Sequence, residues 1–245
     1  MEARFFTDVG HTRDHNEDAG GILTNHTGQQ LLIVCDGMGG HNSGEVASHF
    51  VATRLKEIFE QENLIEFNQA EEWLKNRIAE INRELYDKGQ HEIANQGMGT
   101  TLVAALLFDK KVVVANVGDS RSYLINDREM RQLTIDHTFV QHLVMAGELT
   151  KEEAATHPQR NIITKVIGTD RTVIPDIFTF PLTRYDYLLL SSDGLTDYVP
   201  ENQVHDIIMQ EEPLAEKGER LINLALESEV RDNVSFVLCK LGGVF

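Results

Sequence analysis

Four short apolar runs in this chain each stand within three residues of an aspartate. Leu31-Leu32-Ile33-Val34-Cys35 leads into Asp36, Val112 to Val117 into Asp119, and Tyr187-Leu188-Leu189-Leu190 into Asp193, while Val234 to Leu238 follows Asp232. Near-continuous apolarity in so short a run is the pattern of a strand buried on both faces. Such strands need cover on each side, and an acid at a strand end faces the cleft that the sheet edge forms. Three of the four acids adjoin glycine, as Asp36-Gly37, Gly118-Asp119 and Asp193-Gly194. Glycine lets the backbone turn sharply, so a main-chain carbonyl can join a carboxylate at one ion.

The chain has 245 residues, and its five prolines all lie beyond residue 157 with no Gly/Ser/Pro-rich linker before them. One domain over 1–245 is the economical reading. A formal charge of −17 argues against a nucleic-acid backbone or an anionic lipid surface as partner. Cys35 and Cys239 both sit inside apolar runs, which fits reduced, buried thiols and a cytoplasmic protein rather than a disulfide framework. The longest apolar stretch, Leu102 to Phe108, is far short of the roughly 20 residues that cross a bilayer. No basic segment followed by an apolar one opens the chain, so neither membrane insertion nor a signal peptide is expected.

Along the chain, Arg4 to Val9, Gly20 to Thr24 and the run ending at Asp36 read as strands. Glu45 to Glu60 carries apolar residues at helical spacing, and Asn68 with Glu71 marks the start of a second helix striped by Leu74, Ile78, Ile81 and Leu85. Thr100 to Phe108, Lys111 to Val117 and Arg121 to Ile125 read as a strand meander. Residues 138–167 hold two short helical patterns, the second opened by a Thr150/Glu153 capping box. Strands return at Ile177 to Phe180, Tyr187 to Ser191 and Val234 to Lys240, with helices near Glu201 to Gln210 and Ala215 to Glu227. Segregated strands and helices predict an α+β fold of sheets packed face to face with helices outside.

Taken singly, an aspartate beside glycine is ordinarily a turn former. As a set, four strand-end aspartates plus Asn16-Glu17-Asp18 exceed what turns require. Two carboxylates about 5 Å apart at an effective dielectric near 20 repel by roughly 3 kcal/mol, so such a cluster calls for cations or protons. Oxygen-only ligands point to Mg2+ or Mn2+, and the histidines are too scattered for a zinc site.

The chain resembles the bacterial metal-dependent protein serine/threonine phosphatases of type 2C. The resemblance is carried by Thr7-Asp8-Val9-Gly10, Arg13, Asn16-Glu17-Asp18, Asp36-Gly37-Met38-Gly39-Gly40-His41, Gly44-Glu45, Gly97-Met98-Gly99-Thr100-Thr101, Val117-Gly118-Asp119-Ser120-Arg121, Leu133-Thr134, Asp136-His137, Ser192-Asp193-Gly194-Leu195 and Asp232-Asn233. It implies a four-layer α-β-β-α sandwich of two antiparallel sheets flanked by helices, with residues 138–167 as a flap. It also implies a bridging carboxylate at Asp36, a ligating carbonyl at Gly37, and Asp193 and Asp232 on the second ion. Glu17 and Asp18 are then outer ligands acting through water, Asp119 joins Asp193 at a third ion, and Arg13 grips the substrate phosphate. Two ions about 3.5–4 Å apart would supply hydroxide near neutral pH for in-line attack on phosphorus. Met38 stands where eukaryotic relatives have a histidine, so His41 is the nearest candidate to protonate the departing alkoxide. Thr156 and His157 read as ordinary flap residues. Glu229-Val230-Arg231 replaces the Gly-Gly that many relatives carry before Asp232. The implied partners are phosphorylated proteins, among them a cognate membrane Ser/Thr kinase and its targets, and the implied state is a monomer.

Three rivals are weaker. A cysteine phosphatase needs an arginine six residues after its thiolate, and the residue six after Cys35 is His41. A phosphoryl-aspartate enzyme needs a second aspartate where Met38 stands. A silent phosphoprotein-binding relative is disfavoured because every core ligand is present.

Overall fold

The computed structural model describes residues 1–40, 43–91 and 97–242. Strands β1 (Glu2–Asp8), β7 (Arg121–Ile125), β8 (Met130–Gln132), β10 (Tyr187–Ser191) and β11 (Val234–Lys240) form one sheet in the order β1-β11-β10-β7-β8. The second sheet runs β2-β3-β5-β6-β9, from β2 (Asp18–Thr24), β3 (Gln30–Met38), β5 (Leu102–Leu107), β6 (Lys111–Val117) and β9 (Asp176–Pro181). The short β4 (Gly99–Thr100) pairs with the end of β3. Every strand pairing is antiparallel.

The alternation of side chains along each buried strand explains the unbroken apolar runs. In β3, Leu31, Ile33 and Cys35 pack beneath α1 (Ser43–Glu60) and α2 (Ala70–His91), while Leu32 and Val34 turn to the space between the sheets. In β11, Val234, Phe236 and Leu238 meet α6 (Glu201–Ile208) and α7 (Leu214–Glu227), and Val237 and Cys239 face the other sheet. Neither face of the middle of these strands meets water, so the runs are apolar except at Ser235, whose hydroxyl is hydrogen-bonded to that of Thr7 (2.8 Å). The result is the α-β-β-α sandwich. Both cysteines are buried and unpaired. Among the described residues no helix is long and apolar enough to cross a membrane.

Two sequence expectations need correction. Residues 100–125 are not one meander: β5 and β6 form a hairpin, but β7 lies in the opposite sheet. Gly118 takes a φ of 107°, turning the chain from one sheet to the other, and Asp119 rides on that crossing. Asn68 does not cap α2 either, because it lies within a 3-10 turn, Phe67–Gln69, that precedes the helix. The Phe67 ring sits edge-on to Phe108 at 5.4 Å with Lys111 above it, which fixes the turn ahead of the helix. The segment 138–167 holds α3 (Phe139–Met145) and α4 (Lys151–Ala155), and the Thr150/Glu153 capping box is present.

Candidate metal centre

Antiparallel register brings the acids to one end of the sandwich. Asp18 opens β2 directly opposite Asp36 in β3. Asp119 follows β6, Asp193 starts the four-residue α5 (Asp193–Thr196) after β10, and Asp232 precedes β11. Ser191 pairs with both Arg121 and Phe236, so these chain ends are neighbours. Asp36 lies inside β3 rather than at its tip, because Gly37 and Met38 continue the strand by pairing with β4.

Local contacts fix these positions. The Asp36 amide donates to Thr101 Oγ1 (2.9 Å), and its carbonyl accepts from the Thr101 amide (2.9 Å) and Thr100 Oγ1 (2.9 Å). Ser192 Oγ donates to Asp18 Oδ2 (2.9 Å). Gly37 packs so closely against the first turn of α1 that a Cβ there would overlap the Gly44 carbonyl. Its amide donates to the Glu17 carbonyl (3.0 Å), tying β3 to the loop before β2.

Electrostatics then mark the cluster. Burial, followed by the charges of Asp18, Asp193, Asp119 and Asp232, pushes Asp36 well above the usual carboxylate range. Asp193 rises in the same way, from burial and then Asp119 and Asp232. Burial lifts Asp18 to about 7 against the opposing hydroxyls of Ser235 and Ser192. Asp119 is also pushed up to about 7, by burial and then Asp136. Glu17 is raised by burial, with Arg13 acting against it. Glu17 Oε1, Asp119 Oδ1 and Asp193 Oδ1 are buried with no hydrogen-bond partner. Buried carboxylate oxygens without donors are costly unless a cation or a proton supplies the partner. Oxygen lone pairs of this kind suit Mg2+ or Mn2+. Among the described residues no three acidic, histidine or cysteine side chains close on one point as a ready chelate.

Arg13 is the cation at the rim. Its Nη2 donates to Asp232 Oδ2 (2.8 Å), its Nε to the Arg231 carbonyl (3.3 Å), and its Nη1 lies 3.7 Å from Glu17 Oε2. The bulkier 229–231 loop leaves this arrangement intact, since Val230 turns into the core and Glu229 takes a φ of 56°. Thus Asp18, Asp36, Asp119, Asp193 and Asp232 act on one another, and Glu17, Gly37 and Arg13 border them. His41 lies outside the described residues. His157 packs beside Phe139 and accepts the Gln159 amide, as an ordinary residue of its segment does.

Asn233 is the residue whose role the sequence left unread. Its Nδ2 donates to the carbonyls of Val9 (2.8 Å) and His15 (3.0 Å), and its Oδ1 accepts the Glu17 amide (2.8 Å). It therefore staples the loop carrying Arg13 and Glu17 to the start of β11. The Asp232-Asn233 pairing was the only signal for it.

The family model for Protein phosphatase 2C matches residues 10–238, and the chain belongs to that family. It is 42% identical over 239 residues to the serine/threonine phosphatase stp of Listeria welshimeri, covering 97% of this chain and 95% of the relative. It is 39% identical to protein phosphatase PhpP of Streptococcus pneumoniae, covering 98% of each. Among solved structures, serine/threonine phosphatase Stp1 from Staphylococcus aureus superposes with a TM-score of 0.96 at 58% identity, covering 99% of this chain and 95% of that one. The catalytic domain of the phosphatase PstP, in complex with 2 manganese ions, gives a TM-score of 0.84 at 33% identity, covering 98% and 97%. The protein is a serine/threonine protein phosphatase with the fold of these relatives.

Proposed function

We propose that the enzyme hydrolyses phosphoserine and phosphothreonine in proteins only when Mn2+ or Mg2+ fills the acidic cluster. The observation that carries this reading is Asp36, half-buried at the end of the sandwich among four other carboxylates whose charges all act on it. Asp36 and the Gly37 carbonyl, with Asp193 and Asp232, would hold two core ions; Asp18 and Glu17 would act through water, and Asp119 with Asp193 would take a third, weaker ion. Bound cations supply a nucleophilic water near neutral pH and offset charge on the phosphoryl oxygens. With the ions in place, Asp232 and Glu17 no longer need Arg13 as counter-charge, and its planar fork is free to bind substrate phosphate. His41 is the candidate donor of a proton to the leaving alkoxide. Cys35 takes no part: it is buried beneath α1, and burial pushes its thiol far up, against thiolate formation.

The whole of 1–245 forms one catalytic unit, with 138–167 as a flap beside the cleft. The enzyme acts as a cytoplasmic monomer that reverses a membrane-anchored Ser/Thr kinase. That reading rests on the bacterial phosphatases it resembles. Phosphopeptide turnover should vanish on exhaustive chelation and return with Mn2+, and Asp36→Asn should lower it roughly 100-fold or more at saturating metal. Full activity after chelation would overturn the metal assignment.

A further inference from the structure

Between Ile135 and Phe139, two residues that the proposed chemistry leaves unused reach back to the crossing that carries Asp119. His137 is buried and holds Gly118 at both ends: its Nδ1 accepts the Gly118 amide (2.9 Å), and its own amide donates to the Gly118 carbonyl (3.0 Å). Because Nδ1 accepts, the ring proton belongs on Nε2, which lies 3.2 Å from Asp176 Oδ2. Lys165 Nζ donates to Asp176 Oδ1 (2.8 Å) and lies 3.1 Å from His137 Nε2, so carboxylate and ammonium together border that edge of the ring. On the other side of the crossing, Asp136 Oδ2 accepts from Arg121 Nε (2.9 Å) and lies 2.7 Å from Nη2. The remaining arm of Arg121, Nη1, donates to Thr196 Oγ1 (3.1 Å), the last residue of the short helix that Asp193 begins, and to Oδ1 of Asp197, which follows it (2.7 Å).

We propose that Asp136 and His137 are positioning residues for Asp119, a clamp that fixes the 118–121 crossing through the Gly118 backbone on one side and Arg121 on the other. The crossing needs such support. Gly118 sits at a φ of 107°, and Asp119 Oδ1 is buried without a donor, so that oxygen does not anchor the side chain. The inference rests on the reading of Asp119 as ligand to the weakest ion. Outer partners that orient a metal ligand typically govern metal affinity by about 10- to 100-fold when removed.

The test is calorimetric titration of the metal-free protein with MnCl2, alongside melting temperature and separate kcat and KM on a phosphopeptide. Asp119→Asn should abolish the weakest site. His137→Ala should weaken that site about tenfold or more while the tighter sites keep their affinity, lowering kcat more than it raises KM. His137→Asn should recover most of the loss, because its amide oxygen can accept the Gly118 proton where Nδ1 did. Asp176→Ala, which removes the acceptor for the Nε2 proton without touching Gly118, should shift the same site in the same direction by less. Unchanged weakest-site affinity in His137→Ala, or equal loss in the Ala and Asn variants, would overturn the clamp. Should His137→Ala fail to fold, Asp136→Asn and Asp176→Ala decide: wild-type affinity in both would overturn it. Retention of the weakest site in Asp119→Asn would instead bring down the ligand reading, and the clamp with it.

Discussion

At the scale of single residues, the acids were visible in the sequence because each interrupts the end of an apolar run. Asn233 was not, since its work is done by hydrogen bonds to Val9, His15 and Glu17, all more than 200 positions away. An asparagine after an aspartate reads equally well as a loop residue. Removing it takes the side-chain partners from two carbonyls and one amide, at a position where Asn233 itself is buried. Asn233→Ala should therefore cost about 1–3 kcal/mol in unfolding free energy, measured by denaturant titration. It should also raise KM for phosphopeptide more than it lowers kcat, because the loop that loosens carries Arg13. A stable variant with unchanged KM would show that the staple is dispensable.

At the scale of elements, β3 and β11 were legible because both faces are covered and the apolar run is nearly continuous, broken in β11 only by Ser235. The sheet to which a strand belongs was not. Arg121 to Ile125 is as apolar as a meander partner would be, and only the φ of Gly118 sends it across the sandwich. The four-residue α5 also escaped notice, being too short to show a helical period. Close approach between elements is likewise silent in sequence until a side chain is tried. Gly37→Ala sets a methyl group against the Gly44 carbonyl and should destabilise by about 1–3 kcal/mol, pushing α1 off the end of β3. Gly40→Ala meets nothing within 4 Å and is the matched control for melting temperature. Equal melting temperatures for the two variants would refute the close-packing account.

For the molecule as a whole, a cluster of buried acids makes stability depend on pH in an unusual direction. A carboxyl whose pKa is raised on folding holds its proton better folded than unfolded. Its contribution is complete below the unfolded value of about 4 and is lost as pH rises through the folded value. For Asp18 and Asp119 that loss runs from about 4 up to about 7 and is complete above it. Metal-free protein should thus melt at a higher temperature in Asp18→Asn than in wild type at pH 7.5, with the gap closing toward pH 4. Each ~1 kcal/mol moves the melting point by about 2–4 °C in a chain of this size. Saturating Mn2+ should stabilise the wild type more than the variant, and a variant less stable than wild type without metal at pH 7.5 would contradict the sign. The pairing of β1 with β11, from Glu2 opposite Lys240 to Asp8 opposite Val234, has a consequence for biosynthesis. Because β11 lies between β1 and β10, the five-stranded sheet keeps an open slot until β11 has been synthesised. Asp232 and Asn233 arrive with that strand, so a chain interrupted before β11 lacks both an acid of the cluster and the staple that holds the loop of Arg13 and Glu17.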